Sequence, residues 1–138
     1  MAADRGNELV SHLYQPLNPA VVKLVDMTLR AAAAAKIPAC VCGESAGDPV
    51  AGALWAALGA KSLSMSANCL PVMRRVLGAL RPEDAARIAA DVRGRLDQAG
   101  AAEIRARVKA ALVERLPDLE EMQIFFAPSG AEGRGGRP

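Results

Sequence analysis

Aromatic residues are nearly absent: the 138-residue chain has one Trp, one Tyr and two Phe. A core made without them is built from small and branched aliphatic side chains, and the alanine-rich composition favours helices. A dominant charge of one sign is also missing. Seventeen Lys and Arg stand against fifteen Asp and Glu, and the signs are mixed along the chain. No basic block is dense enough for a nucleic-acid surface, and there is no acidic tail. No run of about 18 apolar residues offers a membrane-spanning helix. Residues Met1-Ala2-Ala3-Asp4-Arg5-Gly6-Asn7-Glu8 lack the apolar centre of a signal peptide. With three cysteines, an odd number, the expectation is a cytoplasmic protein with free thiols and no nucleic-acid or membrane partner.

What the chain does have is a regular alternation of helix and strand signals. Asn18 followed by Pro19 is a helix start, with Asn as cap and Pro at the first helical position. The helix is predicted over 19–35, with an apolar stripe of Val21, Leu24, Val25, Thr28 and Leu29 and with Asp26 facing away. Lys36-Ile37-Pro38 stops it. Ala39-Cys40-Val41-Cys42, between Pro38 and Gly43, reads as a short strand buried on both faces, as in a parallel sheet. Asp48-Pro49 repeats the helix start, and Gly59 ends that helix. Residues 62–66 alternate apolar and polar and predict a second strand. Ser66 or Asn68 caps the next helix, which carries Leu70, Met73, Val76, Leu77 and Leu80. Pro82-Glu83-Asp84 opens another, with a stripe of Ala85, Ile88, Ala89, Val92 and Leu96. Gly100 separates it from a last helix with Ile104, Val108, Ala111 and Leu112, before Pro117. The arginines from 93 to 107 read as solvated faces, and residues 128–138 as disordered.

Alternation of this kind signals parallel β/α units. Two strands alone do not make a stable parallel sheet. The expectation is therefore a slice of a larger α/β fold, or a chain that needs a partner surface.

The turn from Cys40 to Pro49 is where chemistry is expected. Cys42 stands at the end of a parallel strand, where β/α barrels gather their working residues. A thiol there could be a nucleophile, an acid delivering a proton to a carbanion, or a small core residue. The helix start after Gly47 and Asp48 offers backbone amides to an anion. Cys40 and Cys42 face one side of a strand, but no second pair completes a metal site. Glu44 and Asp48 could form an acid/base pair, although capping is a sufficient task for Asp48. His12, the only histidine, has no identifiable acid for a triad. Arg5 could hold a carboxylate or phosphate bidentately, or be a solvated N-terminal arginine.

Asp4-Arg5-Gly6-Asn7, His12-Leu13-Tyr14-Gln15-Pro16-Leu17-Asn18-Pro19, Cys42-Gly43-Glu44, Ala46-Gly47-Asp48-Pro49 and Leu63-Ser64-Met65-Ser66-Ala67 stand in one order. In that order and spacing they resemble the C-terminal domain of phosphoenolpyruvate–protein phosphotransferase, enzyme I of the sugar phosphotransferase system. The nitrogen-related paralogue of enzyme I is the other branch that the resemblance leaves open. The likeness extends over roughly residues 4 to 115. The resemblance implies a helix-rich α/β chain, the C-terminal portion of a (β/α)8 TIM barrel: about its last two β/α units plus extra helices. Residues 1–116 would be the partial domain and 117–138 a tail.

The resemblance further implies a transferase that binds phosphoenolpyruvate with magnesium. The phosphoryl group would pass to a histidine on a separate N-terminal domain and then to a phosphocarrier protein, releasing pyruvate. Cys42 matches the cysteine that protonates the enolate of pyruvate, and Arg5 matches an arginine that binds the substrate phosphate. Gly43 and Glu44 would support the turn. The Mg2+ ligands of the family, its phosphohistidine domain and the earlier barrel strands have no counterpart here, so the chain is expected to be inactive alone. Ser45 stands where the family usually has Met or Leu, and Cys40 is an extra thiol. The full enzyme would be a homodimer. The alternatives are a non-catalytic dimerisation or interaction fragment, or a piece of a phosphoenolpyruvate synthase or pyruvate phosphate dikinase-type enzyme.

Overall fold

The computed structural model of the chain describes residues 14–119. The first element is helix α1, Pro19–Ala35. It starts as the sequence predicts: the Asn18 side chain accepts from the Ala20 amide at 3.0 Å. Lys36 closes it in the left-handed conformation, with φ 57°.

The buried face of α1 is Val22, Asp26, Leu29 and Ala32, rotated from the stripe expected above. Leu24 is 46% exposed and Met27 58%. The cause lies on a later helix. Arg93 donates to Asp26 Oδ1 from Nε at 3.0 Å and from Nη2 at 2.6 Å. A carboxylate paired in this way can be buried, whereas an unpaired one cannot.

Strand β1, Cys40–Cys42, runs parallel to β2, Ser62–Ser64, in the register Cys40↔Ser62, Val41↔Leu63 and Cys42↔Ser64. Val41 and Leu63 point the same way and pack against the core. Cys40 and Cys42 alternate to the other face and are exposed. The expectation of a strand buried on both faces is thus corrected, because among the described residues the helices bury only the Val41–Leu63 side. The second strand also ends earlier than predicted. Ser66 precedes a 3-10 turn, Ala67–Cys69, and α4, Leu70–Ala79, begins at Cys69 with no side-chain cap from either Ser66 or Asn68.

Between the strands lie a one-turn helix α2, Glu44–Gly47, and α3, Pro49–Ala57. Helix α3 is the centre of the molecule, buried at every position from Pro49 to Trp55. Its small residues make that possible. A Cβ on Gly52 would lie 2.3 Å from Met73 Cε and 2.9 Å from the Ala46 carbonyl oxygen, so α4 and α2 pack directly on the bare backbone.

Helices α5, Pro82–Arg93, and α6, Ala101–Val113, cover α3 from the other side. Ile88, Val92, Ile104, Val108 and Leu112 join Val50, Leu54 and Trp55 in one core, with Leu116 and Leu119 beyond α6. The buried stripes of α5 and α6 follow the predicted period. The arginines from 93 to 107 are not only solvated faces: Arg93 ties α5 to α1, and Arg105 ties α6 to Asp48. Asp84, buried in the first turn of α5, is held by Arg115 at 3.1 Å and by Arg87 at 3.3 Å. The result is a helix-rich α/β unit centred on α3, with a small two-stranded parallel sheet packed against it by one face.

Candidate functional site

Cys42 is the last residue of β1. The next residue must turn the chain sharply off the sheet, and Gly43 does so with φ 89° and ψ −169°. A side chain at that φ would be strained, so glycine is required there. The turn then closes on itself: the Ala46 amide donates to the Gly43 carbonyl at 3.1 Å, and the Asp48 amide to that of Glu44 at 3.0 Å. Glu44 itself is exposed at the start of α2. Cys42 thus stands beside a compact turn with its thiol open to solvent.

The far side of the turn rests on the segment after β2. A Cβ on Gly47 would lie 2.9 Å from Cys69 Sγ, so only glycine lets the turn sit this low. Cys69 therefore packs against the turn, and its sulfur lies 3.2 Å from Ser66 Oγ. Through this contact and the β1–β2 ladder, the structure brings together the 42–49 and 63–67 segments singled out in the sequence. Arg5 and His12 lie outside the described residues.

Asp48 is the N-cap of α3. Its Oδ1 accepts from the amides of Val50 at 2.9 Å and Ala51 at 2.8 Å. Those amides were expected to stand open to an anion, but the Asp48 carboxylate occupies them. Arg105 completes its coordination, donating from Nη2 to Oδ2 at 2.8 Å and from Nη1 to Oδ1 at 3.3 Å. With four donors on one carboxylate, Asp48 is committed to holding the turn. An acid/base partnership with Glu44 finds no room on it. Sequence reasoning missed Arg105, because a contact across 57 positions leaves no local trace. The one available hint is that it flanks the buried Ile104–Val108 stripe.

Among the described residues, no group of three or more His, Cys, Asp or Glu side chains could hold a metal ion. No cluster of three such donors therefore stands among the described residues for the magnesium that the resemblance implies. Also among the described residues, no helix is long and apolar enough to cross a membrane.

Several known proteins are similar to this chain in sequence. Phosphoenolpyruvate-protein phosphotransferase of Bacillus sp. (strain S) is 47% identical over 88 residues, 64% of this chain and 15% of that protein. The protein of the same name from Mycoplasma pneumoniae is 46% identical over 79 residues, 57% of this chain and 14% of its own length. That of Cupriavidus necator is 44% identical over 80 residues, again 57% and 14%. The chain thus spans about 15% of the length of the curated relatives it matches. A family model described as "PEP-utilising enzyme, PEP-binding domain" matches residues 1–81, which takes in β1, the Cys42 turn, α3, β2 and α4. The chain belongs to the PEP-utilising enzyme family, within its PEP-binding domain.

Proposed function

We propose that the chain supplies the C-terminal part of the PEP-binding (β/α)8 barrel of a phosphoenolpyruvate–protein phosphotransferase, and that Cys42 is its proton donor. The bond between the phosphoryl group and the enol oxygen of phosphoenolpyruvate breaks. The phosphoryl group goes to a histidine nitrogen outside this chain and from there to a phosphocarrier protein. The enolate left behind takes the Cys42 thiol proton at its methylene carbon, giving the methyl group of pyruvate. The thiolate is reprotonated from solvent. A thiol in this role must keep its proton until carbanion character develops. Arg5 pairs with the substrate phosphate, and Gly43 and Glu44 shape the turn beside Cys42.

The observation that carries this reading is the position of Cys42. It ends a parallel strand beside a turn that only glycine can make, inside the segment matched to the family. In α/β folds built on parallel strands, that end is where substrates are handled. The free thiols suit the cytoplasm as the working compartment. The interaction-fragment alternative draws no support from the relatives quoted, all of which are named for the transferase.

The test supplies the rest of the enzyme in trans, as a curated relative truncated before its matched segment together with the carrier protein. Pyruvate release should return with the wild-type chain. Cys42→Ala should lower it about 100-fold or more, the usual scale of general-acid catalysis, with phosphoenolpyruvate binding within about twofold. Equal rates for the two chains would overturn the assignment.

A further inference from the structure

We infer that Arg105 is a positioning residue for the Cys42 turn, acting from α6 through Asp48. This rests on the proposed role of Cys42. The bonds run without a gap. Arg105 grips both oxygens of the Asp48 carboxylate, at 2.8 and 3.3 Å. The Asp48 backbone amide donates to the Glu44 carbonyl at 3.0 Å, two residues from Cys42. The carboxylate also ties the first amides of α3. So the turn is fixed at one end by the β1–β2 ladder, at the other by Asp48, and from below by Cys69 against Gly47.

The grip comes from a firm base. Ile104 and Val108, on either side of Arg105, are fully buried in the core. A guanidinium presents two donors in a fixed plane, so it resists rotation of the carboxylate as a single ammonium cannot. Helix α6 lies beyond residues 1–81 matched by the family model. A segment outside the matched domain thus sets how tightly the turn beside Cys42 is closed. Its effect on the reaction is one of alignment: small displacements of a catalytic group lower turnover without loss of substrate affinity.

The experiment compares the 138-residue chain with Arg105→Gln and Arg105→Lys by residue-resolved amide hydrogen exchange. The Ala46 and Asp48 amides should exchange about tenfold faster in Arg105→Gln and by an intermediate factor in Arg105→Lys. The amides of α1 should stay within twofold. Unchanged turn amides would overturn the inference. So would uniform acceleration across the chain, because a merely structural arginine lowers protection everywhere. In the complemented assay, Arg105→Gln should lower kcat several-fold with KM within twofold; unchanged kcat would also overturn it. Failure of the Cys42 assignment is read separately, from Cys42→Ala, and leaves the exchange result standing.

Discussion

Helix α3 and strand β1 are both short, both apolar and joined through a single turn, yet they meet opposite fates. Every residue of α3 from Pro49 to Trp55 is buried, while both cysteines of β1 face solvent. Their residue types do not explain the contrast. What differs is the supply of neighbours. Helices α4, α5 and α6 all converge on α3 within the described residues, whereas β1 has β2 on one edge and helices on one face. An apolar segment states that burial is favourable. It does not state that the burying surface lies in the same stretch of chain.

The strongest way to break that comparison is to cut into α3. Leu54 is fully buried at the centre of the core. Leu54→Ala removes that packing and leaves a cavity that the surrounding helices fill only partly. The expected loss is about 2–5 kcal/mol, a large share of the roughly 5–15 kcal/mol typical of a domain. Denaturant titration measures it. A loss under about 1 kcal/mol would mean that α3 is not the centre of the stable unit.

The contrast also explains how much the sequence disclosed. Helix boundaries followed from local chemistry: Asn18-Pro19 and Asp48-Pro49 cap α1 and α3 as their residue types require. The α5 and α6 stripes were equally plain, because each faces one surface. The face of α1 was not, since burying Asp26 depends on Arg93, 67 positions away. Arg105 escaped for the same reason. The Cys42 turn was recognisable because Gly43 is dictated by its own backbone geometry, which fixes residue type locally. What a neighbour from elsewhere in the chain decides, no local pattern records.

A second test contrasts the apolar lock on α3 with the charged lock between α5 and the end of α6. Asp84 is buried, and its carboxyl pKa is lowered chiefly by the hydrogen bond from Arg115, against the opposing effect of burial. The Arg87 hydrogen bond likewise lowers Glu114. A carboxylate with a lowered folded-state pKa adds stability above its unfolded value, near 3.8 for Asp84. That contribution is lost as pH falls through the folded value. The melting temperature should therefore drop more steeply below about pH 4 in the wild type than in Asp84→Asn. The variant should be the less stable protein at pH 7, with the gap closing as acid is added. A constant gap from pH 7 to pH 3 would remove Asp84 from the lock.

The smallest effect is expected at the exposed cysteines, and it sharpens the comparison most. Cys40 and Cys42 turn away from the core on β1. Cys40→Ser and Cys42→Ser should each change stability by no more than about 0.5 kcal/mol, as surface substitutions do. Denaturation midpoints of the purified chain measure this. The measurement should be repeated over a hundredfold range of protein concentration. Were β1 covered by a second copy, the wild type would gain stability with concentration and the serine variants would gain less, because association favours the folded state by mass action. Flat, coincident curves for all three proteins would mean that β1 stays open. The thiol of Cys42 would then be free to meet a substrate carried by another chain.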